Sequence, residues 1–134
     1  MADETPKLVL VVDDDDGIRE LLAILIKKEG YRVETAVDGE DGLQKAEALH
    51  PDLMVLDLML PRYGGFEVLR RLQGGDLARL PIIVVTGRYT DPSTSDLIRQ
   101  ESNVVDLLEK PVKTTRFLLA LQRVLKPQVA GGEA

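Results

Sequence analysis

Five short apolar stretches punctuate the chain, and each is followed by a segment whose apolar residues recur at helical spacing. Residues 7–12 (KLVLVV), 53–56 and 81–86 (PIIVVT) show no polar alternation, which is how a strand buried on both faces reads. Pro61 stops any helical reading of the run that contains 53–56. Residues 31–37 (YRVETAV) alternate and are partly β-branched, so they predict a half-covered edge strand. Residues 104–108 supply a fifth strand.

Between these runs the period changes. Ile18, Leu21, Leu22, Leu25 and Ile26 fall on one helical face, with Gly30 as the stop. Leu43, Ala46 and Leu49 mark a weaker second helix that ends before Pro51, where His50 is expected to be solvated. Phe66, Leu69 and Leu72 form the stripe of a third, opened by Gly64 and Gly65 and closed by Gly74 and Gly75. Residues 87–95 are rich in Gly, Thr, Asp, Pro and Ser, a loop that should open a fourth helix near Pro92 or Ser95. That helix has only Leu97 and Ile98 as clear anchors, so it is expected to be the loosest element. Phe117, Leu118, Leu121, Val124 and Leu125 line a fifth, ended by Pro127.

Five strands alternating with five helices predict an α/β fold: a five-stranded parallel sheet, doubly wound, with helices on both faces. Sites in such sheets lie outside the carboxyl ends of the strands. Here those ends carry Asp13 and Asp14, Asp57, Thr86 and Lys110, so four separate irregularities fall on one rim. Capping accounts for Asp15 and Asp16, which favour the positive end of the first helix. It accounts poorly for Asp13 and Asp14, which still belong to the strand end.

Composition narrows the chemistry. The 134 residues suit one domain with a real core, and 44% hydrophobic with 30% charged residues is ordinary for a globular chain. A net charge of −6 with no basic cluster argues against direct contact with nucleic acid or an anionic membrane. Without cysteine, and with His50 alone, disulfides, thiolate metal sites and multi-histidine centres are excluded. No apolar run approaches the ~20 residues of a membrane span, and the first four residues do not read as a signal peptide, so a cytoplasmic location without membrane insertion is expected.

Carboxylates crowded on a rim need cations. Two of them about 5 Å apart repel by roughly 3 kcal/mol at an effective dielectric of 20. Lys110 supplies one positive charge, and oxygen ligands without nitrogen or sulfur make Mg²⁺ the natural partner for the rest. A carboxylate beside Mg²⁺, a lysine and a hydroxyl constitute a phosphoryl acceptor.

In order, the residues Val11-Val12-Asp13-Asp14, Val55-Leu56-Asp57-Leu58-Met59-Leu60-Pro61 with Gly65, Val84-Val85-Thr86, and Glu109-Lys110-Pro111 resemble the receiver domain of the response-regulator family of two-component signalling. The resemblance spans nearly the whole chain: residues 7–126 as the receiver domain, 1–6 as an N-terminal tail and 127–134 as a C-terminal tail or the start of a linker. It implies the flavodoxin-like, CheY-like strand order 2-1-3-4-5. It also implies that Asp57 accepts phosphate from the phosphohistidine of a sensor histidine kinase or phosphotransfer protein. Asp14, Asp57 and the backbone carbonyl of Met59 would be direct Mg²⁺ ligands, with Asp13 acting through water. Thr86 and Lys110 would hold the phosphoryl group, and the Lys110-Pro111 bond would be cis. Such a chain promotes its own phosphorylation and dephosphorylation and is not a conventional enzyme. Its output would pass through the surface of the fourth helix, fifth strand and fifth helix to a downstream protein or an effector domain not in this chain, with a second copy of the chain as another candidate occupant.

The sequence departs from the family pattern in three places. Leu107 stands where an aromatic is usual, Gly64 where an aspartate usually precedes the loop glycine, and the interval from Thr86 to Lys110 is longer than usual. Leu107 has no polar tip to reward a swing between buried and exposed positions. The 87–95 loop and the fourth helix are therefore expected to carry most of the conformational response, with strand five secondary. Two other readings are open to the sequence. Residues 10–17 also resemble the first motif of haloacid-dehalogenase-type phosphatases, with Asp14 as nucleophile and Asp16 as acid/base, but the acidic pair that family needs after the lysine is missing, since only Glu133 follows Lys110. A receiver fold that binds partners without phosphorylation is the other, and an intact acceptor site speaks against it.

Overall fold

The computed structural model describes residues 6–60, 62, 64–87, 98, 100 and 103–125. Its strands are β1 (Leu8–Val12), β2 (Arg32–Ala36), β3 (Leu53–Asp57), β4 (Ile82–Thr86) and β5 (Val104–Glu109), all parallel in the order β2-β1-β3-β4-β5. Helices α1 (Asp16–Lys28), α2 (Gly39–Leu49) and α3 (Gly65–Gln73) and a C-terminal helix (Thr114–Leu125) cover the sheet. Most of the predicted fourth helix and of the loop before it, residues 88–97, 99, 101 and 102, lies outside the described residues; Ile98, one of its two predicted anchors, is helical and buried.

Alternation along the three central strands splits the core in two. Leu10, Val12, Met54, Leu56, Ile82 and Val84 face α2 and α3, where Leu43, Ala46, Val68, Leu69 and Leu72 meet them. Val9, Val11, Leu53, Val55, Ile83 and Val85 face α1 and the C-terminal helix, where Leu22, Ile26, Phe117, Ala120 and Leu121 close the layer. Every residue of β1, β3 and β4 is buried, as the unbroken apolar runs require, and β2 shows the edge alternation predicted for it. Among the described residues no helix is long and apolar enough to cross a membrane.

Helical faces differ in detail from the sequence reading. Phe66, Leu21 and Leu49 are exposed, not inward, while Val68 and Ala120 are buried. Phe66 is the second residue of α3, where the stripe has not yet turned onto the sheet; Val68 and Leu69 begin it. Asp15 caps α1 by accepting from the Ile18 amide, and Gly30 adopts φ 92 just past the helix end, a conformation open to glycine. His50 ends α2 in the left-handed conformation, exposed.

Strand β5 is irregular where it meets β4. Ile82 pairs with Val104 and Ile83 with Asp106, so Val105 is an extra, bulged residue. The ladder resumes in phase, with Leu107 opposite Val84 and Leu108 opposite Val85.

Candidate functional site

The carboxyl ends of β1, β3, β4 and β5 assemble the site. Asp57 is the last residue of β3, and Asp13 lies one residue beyond the paired Val12 and Leu56, so sheet register alone sets the two side by side. Both follow the inward phase of Val11 and Val55, and both are only 2% exposed. Asp14, one residue on, is exposed. Carboxylate oxygens of Asp13, Asp14 and Asp57 all lie within 4.8 Å of one another.

Lys110, just past β5, reaches back across the end of β4. Its Nζ lies 3.1 Å from Asp57 Oδ2 and 3.1 Å from Asp13 Oδ2. Burial pushes the Asp13 carboxyl above its ordinary value and the Asp57 charge adds to this, against the opposing pull of the Asp15 amide and Lys110. Burial alone would lower the Lys110 ammonium, yet the hydrogen bonds and charges of Asp13 and Asp57 outweigh it and hold the group above its ordinary value. The ammonium is thus held in its charged form between the two carboxylates.

The remaining oxygens are assigned to the backbone. Asp57 Oδ1 accepts from the Met59 amide at 2.9 Å and Asp13 Oδ1 from the Asp15 amide at 2.9 Å. Asp13 and Asp57 thus each have both oxygens engaged within the protein, whereas Asp14 is exposed at the mouth of the cluster. Thr86 is buried at the end of β4, next to Val85, which pairs with Asp57, and its carbonyl accepts from the Lys110 amide at 2.7 Å. The Lys110-Pro111 peptide is cis.

Close packing holds the acceptor strand from behind. A Cβ on Gly65 would stand 2.5 Å from Leu58 Cα and 2.8 Å from the Asp57 carbonyl oxygen, so α3 can start against this peptide only with glycine there. The Gly65 amide uses that approach to donate to the Leu58 carbonyl at 3.1 Å.

Two polar contacts, one at the rim and one along β5, were invisible to the sequence reading. Arg19 of α1 donates through Nη1 to the Asp13 carbonyl at 2.7 Å and pairs through Nη2 with Asp16. The only signal was an arginine one turn into a helix opened by four aspartates. Asp106, buried on β5, accepts from the Leu107 amide and from Arg116 and Arg123 of the C-terminal helix. An aspartate in an apolar run with arginines ten and 17 residues on does not declare such a contact.

A parallel, doubly wound sheet with three carboxylates and a lysine at its carboxyl rim is an α/β domain whose site lies where such sheets carry theirs. Residues 9–122 match the family model described as the response regulator receiver domain, and the chain belongs to that family. It is 44% identical over 118 residues to the transcriptional regulatory protein AfsQ1 of Streptomyces coelicolor, covering 88% of this chain and 51% of that one. It is 37% identical over 120 residues to the alkaline phosphatase synthesis transcriptional regulatory protein PhoP of Bacillus subtilis, covering 90% and 49%. The chain therefore spans about half the length of these curated relatives. Among solved structures, a response regulator receiver protein from Pseudomonas putida superposes with a TM-score of 0.84 at 31% identity, covering 92% of this chain and 99% of that one. The chemotaxis protein CheY4 of Vibrio cholerae gives 0.80 at 30%, covering 90% and 100%.

Proposed function

We propose that Asp57 accepts a phosphoryl group from the phosphohistidine of a sensor kinase or phosphotransfer protein, in a reaction that requires Mg²⁺. The observation that carries this reading is the buried carboxylate at the tip of the central strand, 3.1 Å from Lys110 and clustered with Asp13 and Asp14. An Asp57 oxygen forms the new P–O bond as the P–N bond to the donor imidazole breaks, and the leaving nitrogen takes up a proton. Lys110 neutralises charge on the transferred group, and the Thr86 hydroxyl donates to one of its oxygens. The site's donor set is all oxygen, which fits Mg²⁺; Asp14, Asp57 and the Met59 carbonyl would hold it, with Asp13 acting through water. When bound, the ion supplies charge neutralisation for the phosphoryl oxygens and for the carboxylates themselves.

The names of the relatives support a role as the receiver half of a regulator whose output lies in a region beyond this chain. Phosphorylation would reach that region, or a separate protein, through β5 and the helices that flank it. The test is labelling with acetyl phosphate and Mg²⁺, borohydride trapping and peptide mapping. Label confined to Asp57 is expected, with none on Asp57→Asn; label on Asp14 would turn the assignment toward a phosphatase.

A further inference from the structure

The corner between β1 and α1 carries four successive aspartates, yet Asp13 is held from three directions. Its Oδ2 meets Lys110, its Oδ1 meets the Asp15 amide, and its carbonyl meets the Arg19 guanidinium at 2.7 Å. Arg19 is not an ordinary surface ion-pair residue. Its side chain is 16% exposed against 88% for its partner Asp16, so the guanidinium lies inward over the corner. An arginine recruited only to neutralise Asp16 would stay in solvent, where such pairs contribute little.

We propose that Arg19 is a positioning residue of the acidic site: by bridging the Asp13 carbonyl and the Asp16 carboxylate it fixes the corner so that Asp14 is presented beside Asp57. This rests on the reading of the rim as a Mg²⁺ site. The planar guanidinium matters because it reaches two acceptors at once, one on each side of Asp14, which an ammonium cannot do in the same fixed geometry. Asp14 is the exposed member of the cluster, and so the one most dependent on backbone restraint for its place.

Positioning and charge predict opposite outcomes. If Arg19 acted only as a nearby positive charge, removing it would make the rim more negative and tighten binding of a divalent cation. If it braces the corner, removing it loosens binding, since groups that orient metal ligands typically contribute about tenfold or more to affinity. Mg²⁺ titration by calorimetry of the unphosphorylated wild type, Arg19→Gln and Arg19→Lys separates the two. About tenfold weaker binding by Arg19→Gln is expected, with Arg19→Lys between it and wild type. Amide exchange in EDTA should also quicken at residues 14–16 in Arg19→Gln, with β3 unchanged. Tighter binding by Arg19→Gln, or affinities equal to wild type in both variants, would overturn the proposal while leaving the Mg²⁺ site standing. Wild type that does not bind Mg²⁺ would overturn the reading beneath it as well.

Discussion

Replacing Lys110 by methionine keeps much of the side-chain volume and removes the only charge seen to bridge Asp13 and Asp57 among the described residues. Each 3.1 Å contact amounts to roughly 5 kcal/mol of Coulomb attraction at an effective dielectric of 20, much of it offset by the desolvation of three groups. Stranding buried partners of a broken pair usually costs about 3–5 kcal/mol. A ceiling applies, because Asp13, with an ordinary value of 3.8, can take up a proton instead; at pH 7 that costs about 4 kcal/mol. Lys110→Met should therefore lose about 3–4 kcal/mol in EDTA at pH 7, or about 10 °C or more in melting temperature. Urea unfolding and thermal melts measure it. Mg²⁺ should stabilise the variant more than wild type, since the ion then relieves repulsion that no ammonium opposes. A loss below about 1 kcal/mol would show that the two aspartates are not the stressed pair their burial implies.

Asp14→Asn should weaken Mg²⁺ binding at least about tenfold, yet in EDTA it should melt no lower than wild type and slightly higher, because an exposed charge is removed from a repulsive cluster. Calorimetry paired with melts checks both halves. Asp106→Asn should lose about 1–2 kcal/mol at neutral pH, a figure kept small because Arg116 and Arg123 are about half exposed. Burial alone would raise the Asp106 carboxyl, but Arg116, the Leu107 amide and Arg123 outweigh it and lower its value, so its contribution is present above 3.8 and fades as pH falls through the lower folded value. Urea midpoints of wild type and variant should thus converge toward pH 3 and separate at pH 7. Gly65→Ala should lose about 1–3 kcal/mol and impair acetyl phosphate labelling, because the atoms its Cβ meets include backbone of the acceptor strand. Unchanged melting would mean that α3 can back away freely.

The sheet and the rim were legible because their signals are local and redundant. Burial on both faces leaves no polar residue within 8–12 or 53–56, so Asp13 and Asp57 stand out as the first charges after each run. A parallel sheet then brings strand ends together whatever the loops do, which is why Lys110 could be assigned to Asp57 from 53 residues away. Helical faces were less legible, since a stripe read from three residues has no way of telling whether its first member lies before the helix has turned inward, as Phe66 does. Side chains that act across elements, such as Arg19 and Asp106, leave no periodic trace at all.

Lys110 keeps its place at the rim although β5 carries one residue more than its ladder with β4 uses. An inserted residue inside a strand ordinarily reverses every side chain after it, which would carry Lys110 to the wrong face. Here the bulge at Val105 absorbs one residue, so that Val104 keeps its place opposite Ile82 and Asp106 its place opposite Ile83. Leu107 consequently stays in the layer with Val84 and Ile98, 8% exposed, with no aromatic bulk to move. On the opposite face Asp106 ties the same strand to Arg116 and Arg123. Within one strand, therefore, register at the carboxyl end delivers Lys110 to the two aspartates, while the middle is fixed by a packed leucine and an ion-paired aspartate.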